Sequence, residues 1–203
     1  MLVKICGLTR PEEAAYLNKN GADYAGFVLF FPKSKRCISI SDALPIMAEL
    51  DPRIKKVAVT VEPDAGQLAE IVAAGFDLVQ IHGSIDASLI EDLDIPVLKA
   101  FNVSDLDSYE YYHSHPGIAG YVFDAQIPGS GKTFEWSLIS EIPHDEKLMF
   151  LAGGLSPENV AMAVRALHPD GVDVSSGVEY PGQEFRGKDP DLVAEFIKEA
   201  KKA

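Results

Sequence analysis

With 203 residues, the chain is long enough to bury a sizeable core in one compact domain. Its 47% hydrophobic and 24% charged residues are ordinary for a globular protein, and the longest apolar run, Tyr24 to Phe31, stops at Pro32, short of the ~18 residues that span a bilayer. The 31 acidic residues outnumber the 18 basic ones, and the formal net charge of −13 argues against nucleic acid and membrane surfaces as partners; an anionic ligand must be held by local donors, within a Debye length of about 8 Å.

Eight short apolar runs succeed one another along the chain. The first, Leu2 to Cys6, leads through Gly7 to a helical segment with Thr9 and Glu12 in capping-box spacing and Gly21 as its stop. This opening stretch carries Lys4, Arg10, Glu12, Glu13 and Lys19 and no apolar signal core, so a cytoplasmic protein with Cys6 and Cys37 as reduced thiols is expected. The second run, Tyr24 to Phe30, precedes Pro32-Lys33-Ser34-Lys35-Arg36. The third, Lys56 to Val61, is followed by a helix over 65–74 that aligns Leu68, Ile71 and Val72 and ends at Gly75. The fourth, Leu78 to Ile81, runs into His82-Gly83. After the fifth, Pro96 to Ala100, Tyr109, Tyr111 and Tyr112 are expected to lay their rings against the sheet with hydroxyls in water. The sixth, Gly120 to Phe123, ends at Asp124 before a short helical segment near Glu135 to Ser140. Leu148 to Leu151 and Val172 to Val174 complete the set, with Ser156-Pro157 and Asp189-Pro190 placing proline at helix starts.

Strict β/α alternation with wholly apolar strands predicts a parallel sheet covered by helices, and eight units predict a closed barrel, a single (β/α)8 TIM barrel over residues 1–203. The second and sixth runs echo each other, Tyr24-Ala25-Gly26-Phe27-Val28 against Ile118-Ala119-Gly120-Tyr121-Val122, although so short a repeat does not carry the fold. In such a barrel the active site lies at the carboxyl ends of the strands. Those ends bring one thiol, one carboxylate, one guanidinium and two small polar loops to one face. The loops, Ala152-Gly153-Gly154-Leu155-Ser156 and Val174-Ser175-Ser176-Gly177, follow strands seven and eight and offer backbone N–H groups suited to a phosphate.

Lys4-Ile5-Cys6-Gly7-Leu8-Thr9, Lys33-Ser34-Lys35-Arg36, Gln80-Ile81-His82-Gly83, Gly129-Ser130-Gly131-Lys132-Thr133-Phe134-Glu135-Trp136, Ala152-Gly153-Gly154-Leu155-Ser156-Pro157-Glu158-Asn159-Val160 and Val172-Asp173-Val174-Ser175-Ser176-Gly177-Val178-Glu179 stand in an order that resembles the phosphoribosylanthranilate isomerase family over nearly the whole chain. The resemblance implies a cofactor-free Amadori rearrangement in tryptophan biosynthesis, acting on a small phosphosugar, by a monomer or homodimer. It implies Cys6 as the base and Asp124 as the acid. It further implies Arg36, His82 and Asp173 as substrate-binding groups, and Gly153, Gly154, Ser175, Ser176 and Gly177 as the phosphate cradle. A thiolate suits removal of a proton near neutrality once local charge lowers its ordinary pKa of ~8.5.

Plainer readings exist for three of these residues. A lone buried cysteine is more often packing than catalyst, Asp124 could cap a turn, and His82 could brace its neighbours. The five histidines show no metal spacing, so no metal is expected. Gly131-Lys132-Thr133 fails the phosphate-loop pattern because Gln126 stands where its first glycine belongs. The chain departs from the family pattern at Val59-Thr60-Val61-Glu62, at Cys37 and at Glu135. A metal-dependent epimerase or an indole-glycerol-phosphate-forming lyase on the same barrel would need metal ligands or a catalytic lysine, for which Lys99 is the interior candidate; a barrel that binds phosphate without catalysis is the other alternative.

Overall fold

The computed structural model describes residues 1–91, 93–102, 108–113, 115–124, 146–182 and 184–203. Eight parallel strands form one closed ring, because β1 (Leu2–Cys6) pairs with both β2 (Tyr24–Val28) and β8 (Gly171–Val174). Between them, in order, lie β3 (Lys55–Val61), β4 (Leu78–His82), β5 (Val97–Asn102), β6 (Ile118–Asp124) and β7 (Leu148–Ala152). All eight expected runs are therefore strands; the first matches at both ends, and the others differ by one or two residues at one end or both. Phe30 falls outside β2 because its backbone turns to a positive φ of 57°. The short helix expected near Glu135 to Ser140 and the motif Gly129 to Trp136 lie outside the described residues.

Period-two alternation sorts the strands' side chains into two cores. Inward residues such as Val57, Val59, Leu78, Leu98, Val122 and Phe150 fill the barrel. Outward residues such as Val3, Ile5, Phe27, Val79, Phe101 and Val172 pack under the helices. Phe150 meets Tyr24 edge to face at 5.3 Å between ring centroids, which gives the interior an apolar floor. Gly171 is needed beside it, since a Cβ there would collide with the Phe150 ring.

The described helices are α1 (Glu12–Asn20), α2 (Ile40–Glu49), α3 (Ala65–Ala73), α4 (Ala87–Glu91), α5 (Tyr109–His113), α6 (Val160–Leu167) and α7 (Pro190–Lys202). In α7, Asp189 accepts from the backbone of Asp191 and Leu192, Pro190 sits in the first turn, and Val193, Phe196, Ile197 and Ala200 are buried. Gly21 ends α1 in the left-handed conformation, with its N–H on the Leu17 carbonyl. No helix among the described residues is long and apolar enough to cross a membrane.

Three local expectations change. Glu12 does not cap α1; buried Glu13 instead accepts from the Thr9 and Arg10 backbone at 2.7 and 3.2 Å, and its other oxygen takes the Lys188 N–H at 2.7 Å. The α6 helix begins at Val160, three residues after Pro157, although the Val160 N–H already reaches back to the Ser156 carbonyl at 3.0 Å. Tyr111 is exposed, but the Tyr112 hydroxyl is buried, accepting from the Ile85 N–H at 3.1 Å and donating to the Ile85 carbonyl at 3.2 Å, which ties α5 to the loop after β4.

Candidate active site

A cavity of about 310 Å³ opens at the carboxyl ends of the strands. Nine of the ten residues expected at a site line it: Cys6, Arg36, His82, Asp124, Gly153, Gly154, Asp173, Ser175 and Ser176. Gly177 does not line it. It packs directly on the Leu155 carbonyl, so that a Cβ there would overlap the backbone of the other small loop. Its part is to let the two loops touch. Cys6 ends β1 and Asp124 ends β6, three strands apart round the ring, so thiol and carboxyl face each other across the mouth.

Parity sets the surroundings of the thiol. Lys4 and Cys6, two residues apart on β1, both point inward, and register places Lys4 opposite Asp173 on β8 and Cys6 opposite Gly26 on β2. The Lys4 Nζ donates to Asp173 Oδ2 at 2.8 Å, and Lys4 is wholly buried. Gly26 is small for a reason: a Cβ there would stand 3.0 Å from the Cys6 Sγ and 3.1 Å from the Lys4 Nζ. Contrary to the lowering expected from sequence, the Cys6 thiol is held above its ordinary value, because burial and, less strongly, Asp173 push it up by more than Lys4 and Lys188 pull it down. Burial alone would lower the Lys4 ammonium, but Asp173 and Cys6 more than offset this and hold it above its usual value. Asp173 is raised by burial against the pull of Lys4, and its Oδ1 has no partner among the described residues.

Arg36 reaches the site by folding its stem over Gly7, whose φ of +79° and bare Cα make the approach possible; a Cβ at Gly7 would lie 2.5 Å from the Arg36 Cδ. Its Nε donates to Glu179 Oε1 at 2.5 Å. Glu179 also binds Lys35 at 2.9 Å and the buried Lys188 at 3.3 Å. Burial would raise this carboxyl, yet Arg36, Lys188 and Lys35 together hold it below the usual range. Lys188 is lowered by burial, against Glu179 and Cys6. Its Nζ also donates to the Ser175 carbonyl at 3.1 Å, and the Ser175 hydroxyl donates to the Cys6 carbonyl at 3.0 Å, so the cation beneath the loop after β8 braces the strand that carries the thiol.

Gly153 and Gly154 take successive positive φ values of 86° and 63°. Asn159 staples this turn, donating to the Gly154 carbonyl at 2.9 Å and accepting from the Ser156 N–H at 2.8 Å. Neither the Gly154 nor the Ser176 backbone N–H has an acceptor among the described residues. Two adjacent loops therefore present free donors on the cavity wall, an anion-binding geometry.

On the opposite wall Gln80 and His82 alternate inward on β4, 2.9 Å apart between Nε2 atoms. Burial, with Lys4 and Lys99 adding repulsion, lowers the His82 ring to about 4, so it is neutral near pH 7. With the Gln80 amide as donor, His82 Nε2 accepts and its proton sits on Nδ1. At the altered end of β3, Glu62 adopts a φ of 46° and accepts from the Ser84 hydroxyl at 2.9 Å. It pins the loop after β4 and does not line the cavity.

Lys99 is not an interior lysine. It projects outward, donates to the Ala100 carbonyl at 2.8 Å, and lies over the Phe101 and Tyr112 rings at 4.6 and 4.9 Å. Lys4 is the inward one, and reading β1 by parity from Cys6 would have found it. Among the described residues no group of three or more His, Cys, Asp or Glu side chains is arranged to hold a metal ion. Gln80, Glu179 and Lys188 also belong to the site without having been assigned a role from sequence. The Glu179 to Lys188 contact joins the two ends of the segment after β8, and no spacing rule announces it.

The family model for N-(5'-phosphoribosyl)anthranilate (PRA) isomerase matches residues 3–199. The N-(5'-phosphoribosyl)anthranilate isomerase of Thermotoga maritima is 41% identical over 209 residues, covering 98% of both chains, and that of Chlamydia caviae is 40% identical, covering all of this chain and 98% of its own. A crystal structure of the Thermotoga maritima protein superposes over the full length of both chains with a TM-score of 0.87 at 40% identity. A structure of phosphoribosyl anthranilate isomerase in complex with reduced 1-(o-carboxyphenylamino)-1-deoxyribulose 5-phosphate superposes with a TM-score of 0.84 at 38% identity. The chain belongs to the N-(5'-phosphoribosyl)anthranilate isomerase family.

Proposed function

We propose that the chain, acting as one catalytic domain over residues 1–203, isomerises N-(5-phosphoribosyl)anthranilate to 1-(2-carboxyphenylamino)-1-deoxyribulose 5-phosphate, a step of tryptophan biosynthesis. The observation that carries this reading is the placement of Cys6 and Asp124 on facing walls of one cavity whose remaining rim offers free backbone donors. Protonated Asp124 gives its proton to the furanose oxygen as the C1–O bond breaks and the anthranilate nitrogen forms C1=N. The Cys6 thiolate then takes the proton from C2. The C2–H electron pair becomes the C1=C2 bond, and the C=N pair returns to nitrogen. Proton gain at C1 and loss from the C2 hydroxyl yield the ketone. Atoms balance without a cofactor or an oxidant.

The phosphate rests against Gly153, Gly154, Ser175 and Ser176, with Gly177 keeping the two loops in contact. Helix-start and turn N–H donors hold it despite the chain's net negative charge, because their action is local. Arg36, aimed by Glu179, offers its remaining donors to the carboxylate or hydroxyl groups of the substrate. Asp173 and His82, which line the cavity, supply one acceptor and one donor for the sugar hydroxyls.

Loss of anthranilate-type fluorescence on adding the purified chain to N-(5-phosphoribosyl)anthranilate tests the reading. Turnover without added metal or nucleotide supports it. Fluorescence that stays constant under those conditions removes it and favours a barrel that binds phosphate without catalysis.

A further inference from the structure

We infer that Lys4 is a positioning residue for the base: its ammonium, fixed by Asp173, holds the negative charge of Cys6 once the thiol has lost its proton. The inference rests on reading Cys6 as the base, and it adds a second group on β1 to the site.

The geometry leaves the Lys4 ammonium few other uses. Its side chain is wholly buried, so water does not solvate it, and its aliphatic stem ends over the bare Cα of Gly26. One N–H goes to Asp173 Oδ2 at 2.8 Å. The Cys6 sulfur stands over the same glycine, within reach of the same hypothetical Cβ, and is the neighbouring group able to carry a second negative charge. A buried ion pair contributes little net stability, because the cost of desolvating both ions consumes most of their attraction. A cation placed against a thiol that must ionise in a dry site has a chemical consequence, since an opposite charge within about 4–6 Å favours the charged form.

Among the described residues, the charged and titratable groups facing the sulfur fit this assignment. From β1 and β8 come Lys4 and Asp173, of opposite effect, and from the segment after β8 comes Lys188, which favours the thiolate but shares its charge with Glu179. Arg36 is likewise engaged by Glu179. His82 is neutral, and Asp124 lies on the far wall. Lys4 is thus the cation whose position is set by an anion and a glycine together.

The test is a pH titration of the Cys6 thiolate by its far-ultraviolet absorbance, in a Cys37→Ser background so that one thiol reports. Replacing Lys4 by Met is expected to move the midpoint upward by about 1 unit or more, and Lys4→Arg to restore most of the shift. Because Lys4→Met leaves Asp173 buried without its partner and threatens folding, the double variant Lys4→Met/Asp173→Asn serves as the second arm. It should shift the midpoint in the same direction by less, as both an attracting and a repelling charge are gone. A midpoint that stays put or falls in the folded variants overturns the inference, as does a larger shift in Lys188→Met than in Lys4→Met. No substrate enters this measurement, so its failure is distinct from failure of the isomerase reading, which turnover decides.

Discussion

Two lysines are buried in the same sheet, and they do opposite things. Lys4 on β1 points into the barrel, pairs with Asp173 and borders the cavity through Cys6. Lys99 on β5 points out of it, rests on aromatic faces under α5 and donates to a neighbouring carbonyl. Their exposures, 0% and 2%, do not separate them. Strand parity does. A charge on the inner face of a strand near its carboxyl end enters a polar chamber shared with reactive groups, whereas one on the outer face becomes part of the packing between sheet and helix.

The largest effect that would sharpen this contrast comes from the inner face. Asp124→Asn keeps the shape of the cavity but removes the transferable proton, and turnover should fall by roughly 10² to 10⁴ with the fold retained. Steady-state rates together with an unchanged circular dichroism spectrum check it; a loss below tenfold would take the acid role from Asp124. Arg36→Ala should cost about 1.5–3 kcal/mol in catalytic efficiency, the loss expected if the proposed charge-assisted contact to substrate is made. Glu179 retains Lys35 and Lys188, so the denaturant midpoint should hardly move. Smallest of all should be the outer face: Lys99→Met preserves the volume, and kcat/KM should remain within about twofold, with stability changed by no more than about 1.5 kcal/mol. A collapse of turnover in Lys99→Met would place that lysine in the chemistry and break the comparison.

The strands were legible because wholly apolar runs bounded by glycine and proline have few other uses, and α3 and α7 because their apolar faces and terminal residues agree. Nine of the ten expected site residues line the cavity for the same reason: a barrel sends the residue after each strand to one rim. What stayed hidden depended on distance in sequence. Glu13 and Lys188 meet across 175 positions, so nothing local showed that Glu13, and not Glu12, would hold the turn before α1. Burial of the Tyr112 hydroxyl followed from how α5 lies against the loop after β4, which composition does not encode. Lys4 is different. Its parity with Cys6 was readable, and the general depletion of charge from buried strands obscured it.

In the proposed mechanism Cys6 acts ionised and Asp124 protonated, so a bell-shaped rate profile is expected whose limbs are macroscopic values of the pair, neither belonging to one residue. The thiol is best tested by removing it. Turnover of N-(5-phosphoribosyl)anthranilate by Cys6→Ala in the Cys37→Ser background, set against Cys37→Ser alone, is the most direct measurement of the central claim. A fall of roughly 10² to 10⁴ with folding intact is the predicted result. Near-full turnover without the thiol would contradict the mechanism, even if the substrate were the right one.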